Sequence, residues 1–357
     1  MTKQLAPGQR DHSLDFLRGL AALNIVFIHT TFWSGEAYVP QWLESLSLIL
    51  DVPFFFFLSG WAASYVRSLK KSLKSLVNLY LKYVVFSCMY LAMLGVCAVM
   101  GRNIGLSLPD LLGNLVFRIR VPAVLPVVAG SMWFMPVYFI AVPIGALLLW
   151  LFLRLSKGDE KVLSRWVALA LGLTLLALGC TWAGAAIPPL FQRVLFHLFF
   201  YLLGLLCRNV TIPRLSWAVG LIVLDLAVMV LMGQRLGLDF LKMQDAKFPP
   251  NVIYLFYSLV SVIAALWLRG KLTGLSSKNP LCRIGRAALL FYFCQGIGGS
   301  LLQKLMPRIN LVWYFKLPLA YCINLAATLF FVWVLSKLYL LVFKLIPEKV
   351  RTVRERV

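Results

Sequence analysis

Apolar runs of about twenty residues recur along nearly the whole chain, and that is the length an α-helix needs to cross the hydrocarbon core of a bilayer. Ten spans are expected, at 14–33, 48–66, 83–101, 131–153, 166–183, 193–207, 215–233, 251–268, 287–305 and 317–336. In lipid every backbone N–H and C=O must be paired within its own element, so such runs fold as helices. The expected fold class is therefore all-α, a polytopic membrane helix bundle. Composition agrees: 61% of the 357 residues are hydrophobic and 13% charged, against roughly 45–50% and ~25% in soluble domains. The intervals leave no room for a soluble domain, and one membrane-embedded domain is expected over 1–357, with its core at 10–340 and a basic tail at 341–357. Segment 102–130 is broken by Pro109, Pro122 and Pro126 and is expected outside the membrane, as a surface helix starting at Ser107-Leu-Pro-Asp110 with an extended return. The first run keeps Arg18, Asn24 and His29 in its interior and has no small-residue cleavage site after it, so it is expected as a retained helix rather than a signal peptide.

The net charge of +22, from 35 Lys and Arg against 13 Asp and Glu, raises nucleic-acid binding as a function. The basic residues instead recur in short groups between apolar runs, which is the pattern of membrane topology. With the N-terminus inside, 24 of the 35 fall on the cytoplasmic side and 10 outside, Arg18 lying within the first span. Both termini are thus expected to be cytoplasmic, in the cell (inner) membrane, with the basic face favouring anionic lipids. The seven cysteines lie in or beside apolar runs and form no CxxC pair, so neither a metal site nor a disulfide framework is expected.

Ionisable residues inside a bilayer are costly and mark function by default. In the first span Asp15, Arg18, Ala22, Ile25 and His29 follow at steps of three and four and form one stripe. Arg18 and His29 are about 16 Å apart along the helix. They are either a functional pair at two depths, or a snorkelling arginine and a histidine satisfied inside the bundle. Asp51 opens the second span and, in an antiparallel hairpin, lies at the depth of His29. It either accepts the imidazole Nδ1 proton, leaving Nε2 as a base, or caps its own helix. Ser59 beside Gly60 is a hydrogen-bond donor or a small residue for close packing. Arg67, Lys70, Lys71, Lys74 and Lys82 form a basic loop that serves topology or, with Arg10 and Arg18, docks phosphates. Trp133-Phe134 opens the fourth span near the outer interface, where an aromatic belt explains it equally well. His197 and Asp15 are secondary candidates, His12 precedes the membrane, and Asp225 is an intramembrane carboxylate with no partner evident in the sequence.

Four stretches resemble the integral-membrane acyltransferase 3 family. Arg10-Asp-His-Ser-Leu14-Asp15-Phe-Leu-Arg18-Gly19-Leu-Ala21 followed by His29 is similar to its opening helix with the Arg-x10-His motif. Asp51-Val-Pro-Phe-Phe-Phe-Phe-Leu-Ser59-Gly60-Trp61 resembles its Phe-Phe-x-x-Ser-Gly-aromatic signature, and Trp133-Phe134-Met135 its Trp-Phe-Leu motif. Ile284-Gly285-Arg286 through Tyr292 to Gln295 is similar to its late Gly-Lys-x-Ser and Tyr-x-x-His stretch. Two departures stand out: Gln295 replaces the histidine of many relatives, and Leu79 replaces a proline.

The resemblance implies transfer of an acyl group, usually acetyl, from cytoplasmic acyl-CoA to a hydroxyl of an envelope or exported glycan. Acetyl-CoA or another acyl-CoA is then a donor substrate, with no permanently bound cofactor. Arg10, Arg18, Arg67, Lys70, Lys71 and Lys74 are the expected donor-binding residues. His29 is the expected general base, oriented by Asp51, with direct transfer and an acyl-histidine intermediate both left open. Ser59, Trp133 and Arg18 are candidate oxyanion donors. With no hydrolase-like extension evident, a stand-alone enzyme acylating its acceptor directly is expected. A transporter or flippase of glycan or lipid-linked intermediates is the rival reading, with Arg18, His29, Asp51 and Asp225 as its path, although the two halves show no repeat.

Overall fold

A computed structural model describes residues 10–239 and 242–345. The expected basic tail beyond 345 lies outside the described residues, among which all regular structure is helical. Ten long helices carry the fold: α1 (His12–Trp33), α2 (Val52–Val66), α3 (Leu69–Val99), α4 (Phe134–Leu155), α5 (Glu160–Trp182), α6 (Pro189–Leu206), α7 (Leu215–Leu236), α8 (Val252–Arg269), α9 (Ala288–Leu305) and α10 (Trp313–Leu345). Among the described residues nine spans are long and apolar enough to cross a membrane, and α9 is not one of them. Gln295, three glycines, Gln303 and Lys304 dilute its hydropathy. It tolerates them because it is packed between α1, α10 and the short helix Pro126–Ser131 and needs no face for lipid.

Helix starts depart from the expected spans where a capping side chain lies beyond the apolar run. The third helix begins at Leu69 rather than 83, with Ser68 Oγ accepting from Lys71 N at 3.5 Å, so Lys70, Lys71 and Lys74 stand on a helix and not in a loop. Asp159 Oδ1 accepts from Lys161 N at 2.7 Å and starts α5 at Glu160 rather than 166. Ser107 caps Leu108–Gly113 as expected, and its hydroxyl, donating to Asp110 at 2.7 Å, holds that carboxyl below its usual range. The return from this helix is not merely superficial. Tyr80, Tyr83 and Tyr90 of α3 donate to the carbonyls of Leu115, Asn114 and Leu125, and Pro126–Ser131 then packs on α9.

Two close approaches fix the middle of the bundle. A Cβ on Gly60 would meet Tyr201 O at 1.9 Å and one on Gly204 would meet Phe57 O at 2.0 Å, so α2 and α6 touch backbone to backbone. Likewise Gly19 of α1 and Gly285 of Pro280–Arg286 face Leu281 O and Asp15 O at 2.1 and 1.7 Å. Small residues permit this contact between helices where lipid offers no hydrophobic drive. Nine of the 15 residues of α2 and ten of the 18 of α8 are buried, against three of the 22 of α7, which puts α2 and α8 in the centre and α7 at the lipid boundary.

Polar side chains mark one end of the bundle. Arg67 Nη1 pairs with Glu160 at 2.6 Å, Arg208 binds the same carboxylate, and Tyr65 Oη donates to Asp11 while accepting from Arg269. These contacts join the starts of α1 and α5 to the ends of α2, α6 and α8, as alternating helix directions require.

Candidate functional site

Helix α1 presents its polar residues in two groups. At the end marked by Arg67 and Glu160, Asp15 is 1% exposed and holds Arg10 through two bonds, Nε to Oδ2 at 2.6 Å and Nη2 to Oδ1 at 3.0 Å. Arg18 stands one turn further in, with Asp15, Asp11, Arg10 and Tyr138 as the ionisable groups that act on it. Tyr138 leads to α2, where Ser59 Oγ donates to Phe55 O at 2.8 Å and lies 3.4 Å from the Tyr138 hydroxyl. Ser59 thus makes a hydrogen bond within its own helix, while the close packing is done by Gly60.

His29 lies toward the opposite end of α1, where Lys247 and Asp51 are the charges acting on it. Its Nδ1 is buried and has no hydrogen-bond partner among the described residues. The expected bond from Asp51 to this imidazole is therefore not formed. Asp51 sits at the N-cap position of α2 yet makes no side-chain cap bond either. Its Oδ2 instead accepts from Lys247 Nζ and from Tyr254 Oη, both at 2.6 Å. The physical reason is charge: an ammonium is a stronger partner for a buried carboxylate than a neutral imidazole. The hairpin reading itself holds, since Asn24 of α1 donates to Ser47 O at 2.7 Å and to Leu50 O at 3.1 Å and so ties α1 to the entry of α2.

Lys247 was not singled out by the sequence. It ends the short helix Met243–Lys247 in the connection from α7 to α8, a stretch that reads as an ordinary outer loop. Trp182 Nε1 and Gln192 Nε2 donate to Pro250 O at 3.0 and 3.2 Å and fold this connection onto the bundle, leaving Lys247 6% exposed. Its ammonium lies 5.2 Å from the Trp133 ring centre, placing Trp133 inside the site. Tyr254 was missed too; Asn251 accepts from its backbone N at 3.2 Å and sets it in the first turn of α8.

His197 of α6 reaches the same place. Its Nδ1 is 2.7 Å from Arg193 O and must donate to it, so in the neutral ring Nε2 carries the lone pair, and Nε2 is buried with no partner among the described residues. Phe56 and Trp133 flank the ring at 4.6 and 6.0 Å. Gln295, which stands where relatives carry histidine, is fully buried with both amide atoms unpartnered among the described residues. Of the expected donor-binding residues, Arg10 and Arg67 are spent on Asp15 and Glu160, Lys70 and Lys71 are exposed, and Lys74 is half-buried. The arrangement offers a proton acceptor, a fixed ammonium and aromatic walls at one end of α1, and guanidinium groups at the other.

Residues 11–337, nearly the whole chain, match the family model described as an acyltransferase domain, that of acyltransferase 3. No curated protein matches the chain, and no solved structure does.

Proposed function

The chain belongs to the acyltransferase 3 family and is a membrane acyltransferase, and from that premise we propose that it is an O-acyltransferase moving an acyl group, acetyl first among them, from cytoplasmic acyl-CoA to a hydroxyl of an envelope or exported glycan. The observation that carries this reading is the division of α1, with guanidinium groups at one end and an unpartnered imidazole about three turns away at the other. The end bearing Arg10, Arg67, Lys70 and Lys71 is the cytoplasmic one, by the basic excess there, and both termini lie on that side of the cell (inner) membrane. Lys70, Lys71 and Lys74 draw the phosphates of the donor, and Arg18 lies on the way into the bundle. Arg10 and Arg67 join them only by leaving Asp15 and Glu160.

At the other end His29 accepts the proton of the acceptor hydroxyl as the oxygen attacks the thioester carbonyl, and the membrane keeps donor and acceptor apart. The test is release of CoA thiol by purified protein given acetyl-CoA and envelope glycan. Thiol release coupled to acylation of the glycan supports the reading; folded protein that turns over no acyl-CoA overturns it. The donor side has its own signature. Reversing the charge of Lys70 and Lys71 to glutamate should raise the KM for acyl-CoA at unchanged kcat, by roughly fivefold per charge if each contributes about 1 kcal/mol, and the effect should shrink in high salt.

A further inference from the structure

We propose that Lys247 is the oxyanion donor of the transfer step, held in place by Asp51 and Trp133; this rests on the acyl-transfer reading above. Burying an ammonium costs several kcal/mol before any partner repays it. A connection between two helices has no need to incur that cost, because its lysines reach water simply by pointing outward. Here the connection is folded inward instead, tied through Pro250 to Trp182 and Gln192 and through Asn251 N to Ala246 O at 2.9 Å, and the residue it delivers is Lys247.

The ammonium is fixed from three sides. Asp51 takes one of its N–H groups at 2.6 Å, and the rings of Trp133 and Phe248 lie 5.2 and 5.3 Å away. Tyr254 holds the carboxylate in turn at 2.6 Å. The Trp133 ring, 5.2 Å from the ammonium, also lies 6.0 Å from the His197 ring, so the charge and the imidazole with the unpartnered Nε2 share one indole wall. A fixed donor in a site shielded from water is the arrangement that stabilises developing negative charge, because nothing has to reorganise when the charge appears.

In the step itself the acceptor oxygen bonds to the thioester carbon and its proton passes to His29. The carbonyl electrons move onto oxygen, where a Lys247 N–H meets them. Collapse re-forms the carbonyl, breaks the carbon–sulfur bond, and the proton on His29 passes to the departing CoA sulfur. Acyl-CoA and an alcohol become an ester and CoA thiol, with no other reactant. Asp51 thereby becomes a positioning residue for Lys247 rather than for His29.

The experiment compares the full-length parent with Lys247→Met, Lys247→Arg and the double variant Lys247→Met/Asp51→Asn, reading CoA thiol release with acetyl-CoA and envelope glycan, and thermal unfolding in detergent. Loss of one oxyanion donor lowers kcat by about 10²–10³-fold, so Lys247→Met should show that loss with the KM for acetyl-CoA little changed, and Lys247→Arg should recover part of it. The single variant strands the Asp51 charge and is open to misfolding, whereas the double variant removes both charges together. A double variant that unfolds like the parent yet keeps the low kcat bears the proposal out. Return of the parental kcat in the double variant overturns it, since Lys247 would then only neutralise Asp51, and so does an unchanged kcat in Lys247→Met. A folded parent that releases no thiol overturns the acyl-transfer reading instead, and this role with it.

Discussion

Replacing His29 with alanine should abolish acyl transfer while the bundle still assembles. General-base catalysis contributes about 10²–10⁴-fold, and the loss should fall on kcat because the imidazole meets the acceptor proton only in the transition state. Structural damage should be small for a specific reason. His29 Nδ1 has no hydrogen-bond partner among the described residues, so its removal strands no donor or acceptor on a neighbour. His29→Gln separates shape from chemistry, since it keeps a polar group of similar size without the basic nitrogen, and it should be as inactive as His29→Ala. Thiol release and glycan acylation, measured on protein that elutes as a single species, decide the matter. A His29→Ala protein that still acylates the glycan removes this residue from the chemistry. His197→Ala is the companion measurement: its Nε2 is also buried without a partner among the described residues, and activity retained in His29→Ala but lost in His197→Ala would transfer the base role to α6.

How much of this was legible beforehand follows from what each pattern reports. Twenty apolar residues in a row have one outcome in lipid, so nine of the ten expected spans were visible, whereas the stretch expected at 287–305 forms helix α9 but is too dilute in hydropathy to count as a span among the described residues. Caps lying in basic stretches were not, because Ser68 and Asp159 extend helices into sequence whose charge reads as loop. The stripe from Asp15 to His29 was visible because helical spacing is local. The partner of Asp51 was not, because Lys247 lies nearly two hundred residues away in a connection whose inward fold depends on Trp182 and Gln192. Depth along a hairpin is a property of two adjacent helices; the choice among partners at that depth belongs to the whole bundle. The motif glycines acquire a reason here as well. Gly19 and Gly285, from the first and last of the four stretches, are each other's neighbours in the fold.

Gly60→Ala should unfold the protein more readily than any surface change of the same size. A Cβ at that position would lie 1.9 Å from Tyr201 O and 2.7 Å from Tyr201 C, well inside van der Waals contact with backbone that no rotamer change can move. The helices must therefore separate, and Gly204, whose own Cβ position faces Phe57 O at 2.0 Å, shows that the contact is as tight from the other side. Separation forfeits dispersion along the whole of the α2–α6 interface, where association depends on it. Overpacking of an ordinary core costs about 1–3 kcal/mol, and backbone against backbone should sit at or above the top of that range. Activity should fall with stability, because α2 carries Asp51 and α6 carries His197, and Phe56 of α2 touches the His197 ring at 4.6 Å. Gly95→Ala is the control: it stands on the exposed side of α3 with nothing within 4 Å of its Cβ position, so it should unfold with the parent. Thermal midpoints in detergent, with the fraction of each variant that survives size exclusion, separate the two. Equal midpoints for Gly60→Ala and Gly95→Ala would mean that α2 and α6 do not meet backbone to backbone at Gly60.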